Sequence, residues 1–188
     1  MKTPEFLKKN PNAKFPILEI SEGKYLYESG AILRYVARVD KSKGLYGTNI
    51  AEETQIDDWL DWSSRELQPT LMSMVGPFLG WQGATESLKD AEKKLRPLLE
   101  ILEAHLKENK YMIGDKVTIA DINIATYLSV PFRFLWDEKF REVIPYTTKW
   151  FQDLMSQEPF VKEFGKLVLC QKPLEFVALK KSKEEKKE

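Results

Sequence analysis

Strand signals in this 188-residue chain stop at residue 28, and that asymmetry limits the fold more than any other feature. "KFPILEI" (14–20) and "KYLYE" (24–28) read as two strands joined by Ser21-Glu22-Gly23, a short turn with its glycine late. In the first of them Phe15, Ile17 and Glu19 alternate with Pro16, Leu18 and Ile20. From Ser29 the period becomes that of a helix, with Ala31, Ile32, Tyr35, Val36 and Val39 on one face. The strand period does not return. A small strand-containing piece therefore leads into a long all-helical region, an α+β chain that is mostly α. The divisions expected are residues 1–40, a turn-rich linker at 41–49, a helical domain at 50–179 and a charged linker at 180–188.

The helical region has its own punctuation. Ile56, Trp59, Leu60, Ser63 and Leu67 follow helical spacing, and Pro69 and Gly76-Pro77 should bend or break the run. Ala91, Leu95, Leu98, Leu99, Leu102 and Leu106 predict a long amphipathic helix with Pro97 inside it, where a kink or tightened turn is expected. "VTIADINIATYLSVPFRFLW" is apolar enough for the centre of a bundle. "PYTTKWFQDLMSQ" and "PFVKEF" each begin at a proline, tolerated in a first turn. Ahead of the strands, "PEFLKK" (4–9) predicts a helical turn ended by Asn10-Pro11.

Composition excludes several function classes. Apolar residues make up 43% of the chain, a folding composition. Lys plus Arg (29) cancels Asp plus Glu (29), which gives no electrostatic reason to expect direct nucleic-acid binding. A single cysteine, Cys170, forbids an internal disulfide and fits a reducing, cytoplasmic setting. No apolar run is long enough to span a membrane, and the N-terminus lacks a hydrophobic signal core.

Two constellations could carry chemistry or architecture. A proline inside a strand marks an edge, a bulge or a cis peptide. A cis Phe15–Pro16 bond would leave the Phe15 N–H and C=O free to pair with an extended, peptide-like ligand. Glu28-Ser29 would then add a carboxylate, a hydroxyl and the unpaired N–H groups of a helix start, which suit a ligand carboxylate. The plainer alternative is a hairpin proline followed by a serine cap. The second constellation, Val117-Thr118-Ile119-Ala120-Asp121-Ile122, is a capping box from Thr118 and Asp121 inside a hydrophobic staple from Val117 and Ile122. It is structural. His105 has no metal-binding companions and Cys170 no catalytic partner; both read as packed residues. Trp59, Trp62 and Trp81 could line a cleft, but at helical spacing they are more often core or interface anchors. No catalytic residue and no metal site is assigned.

"NPNAKFPILE…YLYESGAILRYVA", the linker and then "YMIGDKVTIADI" resemble the glutathione S-transferase family, from about residue 3 to 178. The resemblance implies a partial thioredoxin-like piece, a β-hairpin plus a helix, followed by an all-helical transferase C-terminal-type domain. It implies that Pro16 is the family's cis-proline. Phe15 would pair with the cysteinyl unit of glutathione, and Glu28 and Ser29 would hold the γ-glutamyl end. Glutathione is thus a candidate ligand, and no cofactor is expected. The C-terminal part, with Leu167-Val168-Leu169-Cys170, Phe176 and the lysines from Lys180, is similar to the transferase-like domains of the translation elongation factor 1 gamma-subunit family.

That narrower resemblance implies a non-catalytic scaffold for the subunits that exchange guanine nucleotide in protein synthesis. An active transferase and an interaction module of aminoacyl-tRNA synthetase assemblies are the alternatives. A complete thioredoxin-like domain would supply a strand, a helix and a second strand before residue 3. The chain is therefore expected to be a piece or truncated form of a longer protein, without the residue that activates the glutathione thiol. Proteins of this type also pair as homodimers, which here would involve residues 24–36 and 51–106.

Overall fold

The computed structural model describes residues 3–79 and 88–174; Trp81, Phe176 and the charged stretch 180–188 lie outside the described residues. Thr3 opens the first helix, α1 (Pro4–Lys9), by accepting the Phe6 N–H on its Oγ1 at 3.3 Å. The hairpin follows: β1 (Leu18–Ser21) pairs antiparallel with β2 (Lys24–Leu26), Leu18 opposite Leu26, with a register shift between Glu19 and Ser21. Gly23 closes the turn at φ 72°, a conformation open to glycine at no steric cost. The strand at 14–20 is shorter than its pattern suggests, because its proline end does not pair.

α2 (Ser29–Val39) starts where the period changes, but its predicted apolar face does not enter a core. Tyr35, Val36 and Val39 are 39%, 53% and 71% exposed, and only Ala37 is buried. Helical spacing reports that apolar residues share a face, not that another element covers it. The opposite side of α2 faces the helical domain. Leu33 packs against the core beside Ala37, and the Arg34 guanidinium reaches Asp57 (2.5 Å) and Asp61 (2.9 Å) on α3 (Ile50–Trp62).

The stretch at 41–49 holds a 3-10 turn (Lys41–Lys43) and the buried Tyr46, whose hydroxyl donates to Asp57 at 2.6 Å while its ring lies 3.9 Å beneath Arg38. Asn49 caps α3 by accepting the N–H groups of Ala51 and Glu52. The break expected near Pro69 is a π-helical turn at Ser63–Leu67, after which α4 (Gln68–Val75) begins with Pro69 in its first turn. A 3-10 turn over Gly76–Leu79 ends it. α5 (Leu88–Glu108) runs on as a helix through Pro97.

α6 (Ile119–Phe134) is the central helix, with Ile119, Ala120, Ile124, Ala125, Leu128 and Phe132 no more than 1% exposed. Around it lie α7 (Glu138–Arg141), which the sequence pattern did not reveal, α8 (Pro145–Met155) and α9 (Glu158–Phe164). Phe132 stacks on Phe151 at 4.1 Å and meets Trp136 edge-on at 5.1 Å. A final segment returns along α6. Cys170 donates its backbone N–H to Phe132, Leu174 donates to Phe134, and Arg141 clamps the carbonyls of Trp136 and Cys170 at 2.5 and 2.7 Å. The Cys170 side chain is buried, and that burial pushes its thiol pKa up, consistent with a packed residue.

Candidate peptide-binding site

Asn10 is the single buried residue ahead of α2 among the described residues, and it shapes the approach to the hairpin. Its side chain accepts the Asn12 N–H at 2.9 Å and donates to the Lys14 carbonyl at 2.6 Å, which fixes the loop leading to Phe15. Ala13 takes a left-handed φ of 53° within that loop. The Phe15–Pro16 peptide is cis. Phe15 is 60% exposed, and its ring lies 4.9 Å from that of Phe6 in α1. Among the described residues neither its N–H nor its C=O has a hydrogen-bond partner.

Glu28 and Ser29 lie at the same end of the hairpin. They follow β2, as Phe15 and Pro16 precede β1, whose Leu18 pairs with Leu26. Glu28 is the N-cap residue of α2, and its side chain makes no capping bond. The first intrahelical bond there runs from the Ile32 N–H to the Glu28 carbonyl at 2.9 Å, which leaves the first amides of α2 free for an acceptor. Both side chains are exposed. The arrangement offers an unpaired backbone edge, a helix start, a carboxylate and a hydroxyl at one end of one hairpin. Those groups suit an extended ligand with an amide and a carboxylate.

Thr118 and Asp121 lie elsewhere, at the start of α6, and form the capping box. The Thr118 hydroxyl oxygen accepts the Ala120 N–H at 3.3 Å. The Asp121 carboxylate takes four hydrogen bonds. Oδ2 accepts the Thr118 N–H (2.9 Å) and O–H (3.0 Å), while Oδ1 accepts the Met112 N–H (2.9 Å) and the Trp150 indole N–H (3.1 Å). Burial raises its pKa, and the bonds from Met112, Thr118 and Trp150 work against that rise. Sequence spacing identified the box but not the two distant donors, which make Asp121 a junction of α6, α8 and the loop at Met112.

His105 is structural as well: its Nε2 lies 3.2 Å from the Tyr111 carbonyl and its ring 4.8 Å from Trp59. Trp59 and Trp62 pack partly buried against the core, edge to face at 5.3 Å. No group of three or more His, Cys, Asp or Glu side chains able to hold a metal occurs among the described residues. No helix among them is long and apolar enough to cross a membrane.

Three residues that spacing could not single out, Arg34, Asp57 and Asp61, tie the site to the helical domain. Arg34 sits five residues into the helix that Ser29 begins, and it joins Asp57 and Asp61. On Asp57, burial is the largest influence and raises the pKa. Hydrogen bonds from Tyr46 and Arg34, with the Arg34 charge, more than reverse it and hold the carboxyl below its ordinary value.

The family models for the glutathione S-transferase N-terminal domain and C-terminal domain match residues 1–38 and 64–158. The chain belongs to the glutathione S-transferase family. Within it, the sequence is similar to elongation factor 1-gamma: 35% identical over 165 residues to probable elongation factor 1-gamma 1 of Arabidopsis thaliana and 31% over 180 residues to that of Equus caballus. Those matches cover 87% and 95% of this chain and 40% of each relative, so the chain spans about two fifths of the curated relatives it matches. Among solved structures, the transferase-like domain of elongation factor 1-gamma from Saccharomyces cerevisiae shares the fold at a TM-score of 0.79 and 22% identity, over 91% of this chain and 81% of that one. Poplar glutathione transferase F1, in a serine-to-cysteine mutant form, aligns at 0.72 and 27%, over 86% and 77%.

Proposed function

We propose that this chain is a non-catalytic docking domain of a translation elongation factor 1 complex, working in the cytoplasm. In this reading the helical domain supports the guanine-nucleotide-exchange subunits, and nucleic acid is not a direct ligand. The observation that carries it is the similarity to elongation factor 1-gamma, which takes in nearly the whole chain. The structure supports it in a second way. The core lies in the helical part, and among the described residues up to 40 only Ala37 and the partly buried Leu33 contribute to it. A rigid helical body is the element suited to presenting a binding surface.

Phe15, Pro16, Glu28 and Ser29 are, in this reading, a peptide edge that holds glutathione weakly at most. Division of the chain at residues 40 and 50 remains part of the proposal, as does pairing with a second copy through residues 24–36 and 51–106. The alternative, an active glutathione transferase, is favoured by the likeness to poplar glutathione transferase F1 and by the groups gathered at the hairpin end. A thiol-activating group would still have to be identified for it.

Recovery of the native full-length protein from lysate tests the reading. The exchange subunits of the complex should come with it; recovery of synthetase components instead, or of nothing, refutes the assignment. Turnover with glutathione and an activated aryl halide separates the enzyme. Saturable turnover that disappears in Ser29→Ala would move the protein into the transferase class.

A further inference from the structure

A slot between α5 and the turn ahead of α8 lies outside the peptide-binding site. Its floor is apolar: Leu95, Leu99 and Ile144, each under 5% exposed, with Phe140 beside them. Its rim is charged, because Glu92, Arg96, Glu100 and Glu103 follow one another along one face of α5. Val143, 60% exposed, forms an apolar lip.

Size decides the class of ligand. The cavity measures about 100 Å³. Pockets for cofactors and drug-sized molecules run to roughly 300–1,000 Å³, and a closed aliphatic cavity of about 150 Å³ takes one benzene. The slot therefore holds one side chain.

Charge decides which. Three carboxylates face one guanidinium. Glu103 is committed, since its two oxygens accept the Thr147 N–H (2.6 Å) and the Tyr146 N–H (3.2 Å) at the start of α8. Glu92 and Glu100 form no ion pair among the described residues, even with Arg96 one turn away from each. An anion would bring a fourth negative charge to this rim.

A cation on an aliphatic stem fits both requirements, with the stem against the floor and the head at the rim. We propose that the slot seats a single lysine or arginine side chain presented by a partner polypeptide, the stem on Leu95, Leu99 and Ile144 and the head at Glu92 and Glu100. The slot stands independently of the elongation-factor reading, because any partner with an exposed basic anchor meets the same groups.

The test is a backbone-amide NMR titration of the full chain with the acetylated, amidated tripeptide leucyl-lysyl-leucine, set beside its norleucine and glutamate counterparts. The lysine peptide should shift the amides of residues 92–103 and 140–144. Glu92→Gln and Glu100→Gln should each weaken it about three-fold and together about ten-fold, with added salt acting in the same direction. Both positions are exposed, so the fold survives the changes. Val143→Lys, which sets a fixed positive charge at the mouth, should abolish the shifts. Equal or tighter binding of the norleucine peptide assigns the slot to an apolar anchor and overturns the proposal. Preference for the glutamate peptide through Arg96, or shifts confined to other residues, overturns it too.

Discussion

Asp121→Ala should destabilise the protein far more than loss of a helix cap, and the structure sets the size of the effect. A cap residue is typically worth about 1 kcal/mol. Asp121 also serves the Met112 N–H and the Trp150 indole N–H, in residues 1% and 4% exposed. Each buried donor left without a partner costs about 1–3 kcal/mol. The Thr118 hydroxyl can rotate to another acceptor, which leaves three stranded N–H groups. Their sum is lowered by relief of the burial that raises the carboxyl pKa, so the net loss should be about 3–5 kcal/mol. That is a large part of the roughly 5–15 kcal/mol of a typical domain. Urea unfolding followed by tryptophan fluorescence reads it. A companion Trp150→Phe, combined in a double-mutant cycle, should show a coupling of about 1 kcal/mol. If Asp121→Ala changes stability by less than about 1 kcal/mol, the distant donors do not depend on the carboxylate and the reasoning fails.

Arg34→Ala should cost about 1–2 kcal/mol at neutral pH, the part-exposed carboxylates being screened by solvent. Because Asp57 has a lowered folded-state pKa, its contribution is present above the ordinary value of 3.8 and lost as pH falls through the folded value. The gap between wild type and Arg34→Ala should therefore narrow in acid below pH 3.8; a gap that widens there refutes the ion-pair account. Gly47→Ala should destabilise by about 1–3 kcal/mol in thermal melts. Gly47 has φ 78°, and an added Cβ would meet Glu52 Cβ at 2.9 Å and the Glu53 nitrogen at 3.0 Å. Glu103→Ala should cost about 1 kcal/mol by removing a cap that α8 does not supply itself, since Ile144 at its N-cap position has no side-chain acceptor. Protection of the Tyr146 and Thr147 amides from hydrogen exchange should fall with it.

What the sequence made legible was local. α1 carries its cap and stop within eight consecutive residues, Thr3 to Asn10, and the α6 box needs only the spacing from Thr118 to Asp121. The hairpin and the start of α2 follow from a change of period at Ser29. What stayed hidden was non-local. Arg34 meets carboxylates 23 and 27 positions away, Glu103 caps a helix 43 and 44 positions on, and Arg141 clamps a carbonyl 29 positions on. No window of sequence shows such partners. Asn10 was visible only as the end of a helical turn before Pro11, although its side chain braces the approach to Phe15. At Pro69 the sequence signalled a break, and the packing of Ser63 and Leu67 into the core accompanies a π-turn there. The exposed face of α2 is the clearest limit, because a stripe of apolar residues specifies a surface without specifying its cover.

α2 belongs mechanically to the helical body, and this bears on how a peptide edge and a docking surface could share one chain. Every strong tie of α2 points the same way: Leu33 and Ala37 into the core, Arg34 to α3, and Arg38 over Tyr46. Among the described residues the hairpin shows no hydrogen bond or ion pair to the helical body, its Tyr25 ring instead meeting Lys9 of α1 at 5.7 Å, and all of its strand residues are exposed or only partly covered. The edge at Phe15 therefore rests on α1 and the Asn10 loop, whereas the helix start at Ser29 is fixed to the body that carries the α5 slot. A ligand spanning Phe15 and Ser29 would bridge the hairpin end and the helical body. A partner seated on α5 would meet the helical body alone. Packing is thus consistent with the proposed use of the helical surface, rather than the peptide edge, for docking.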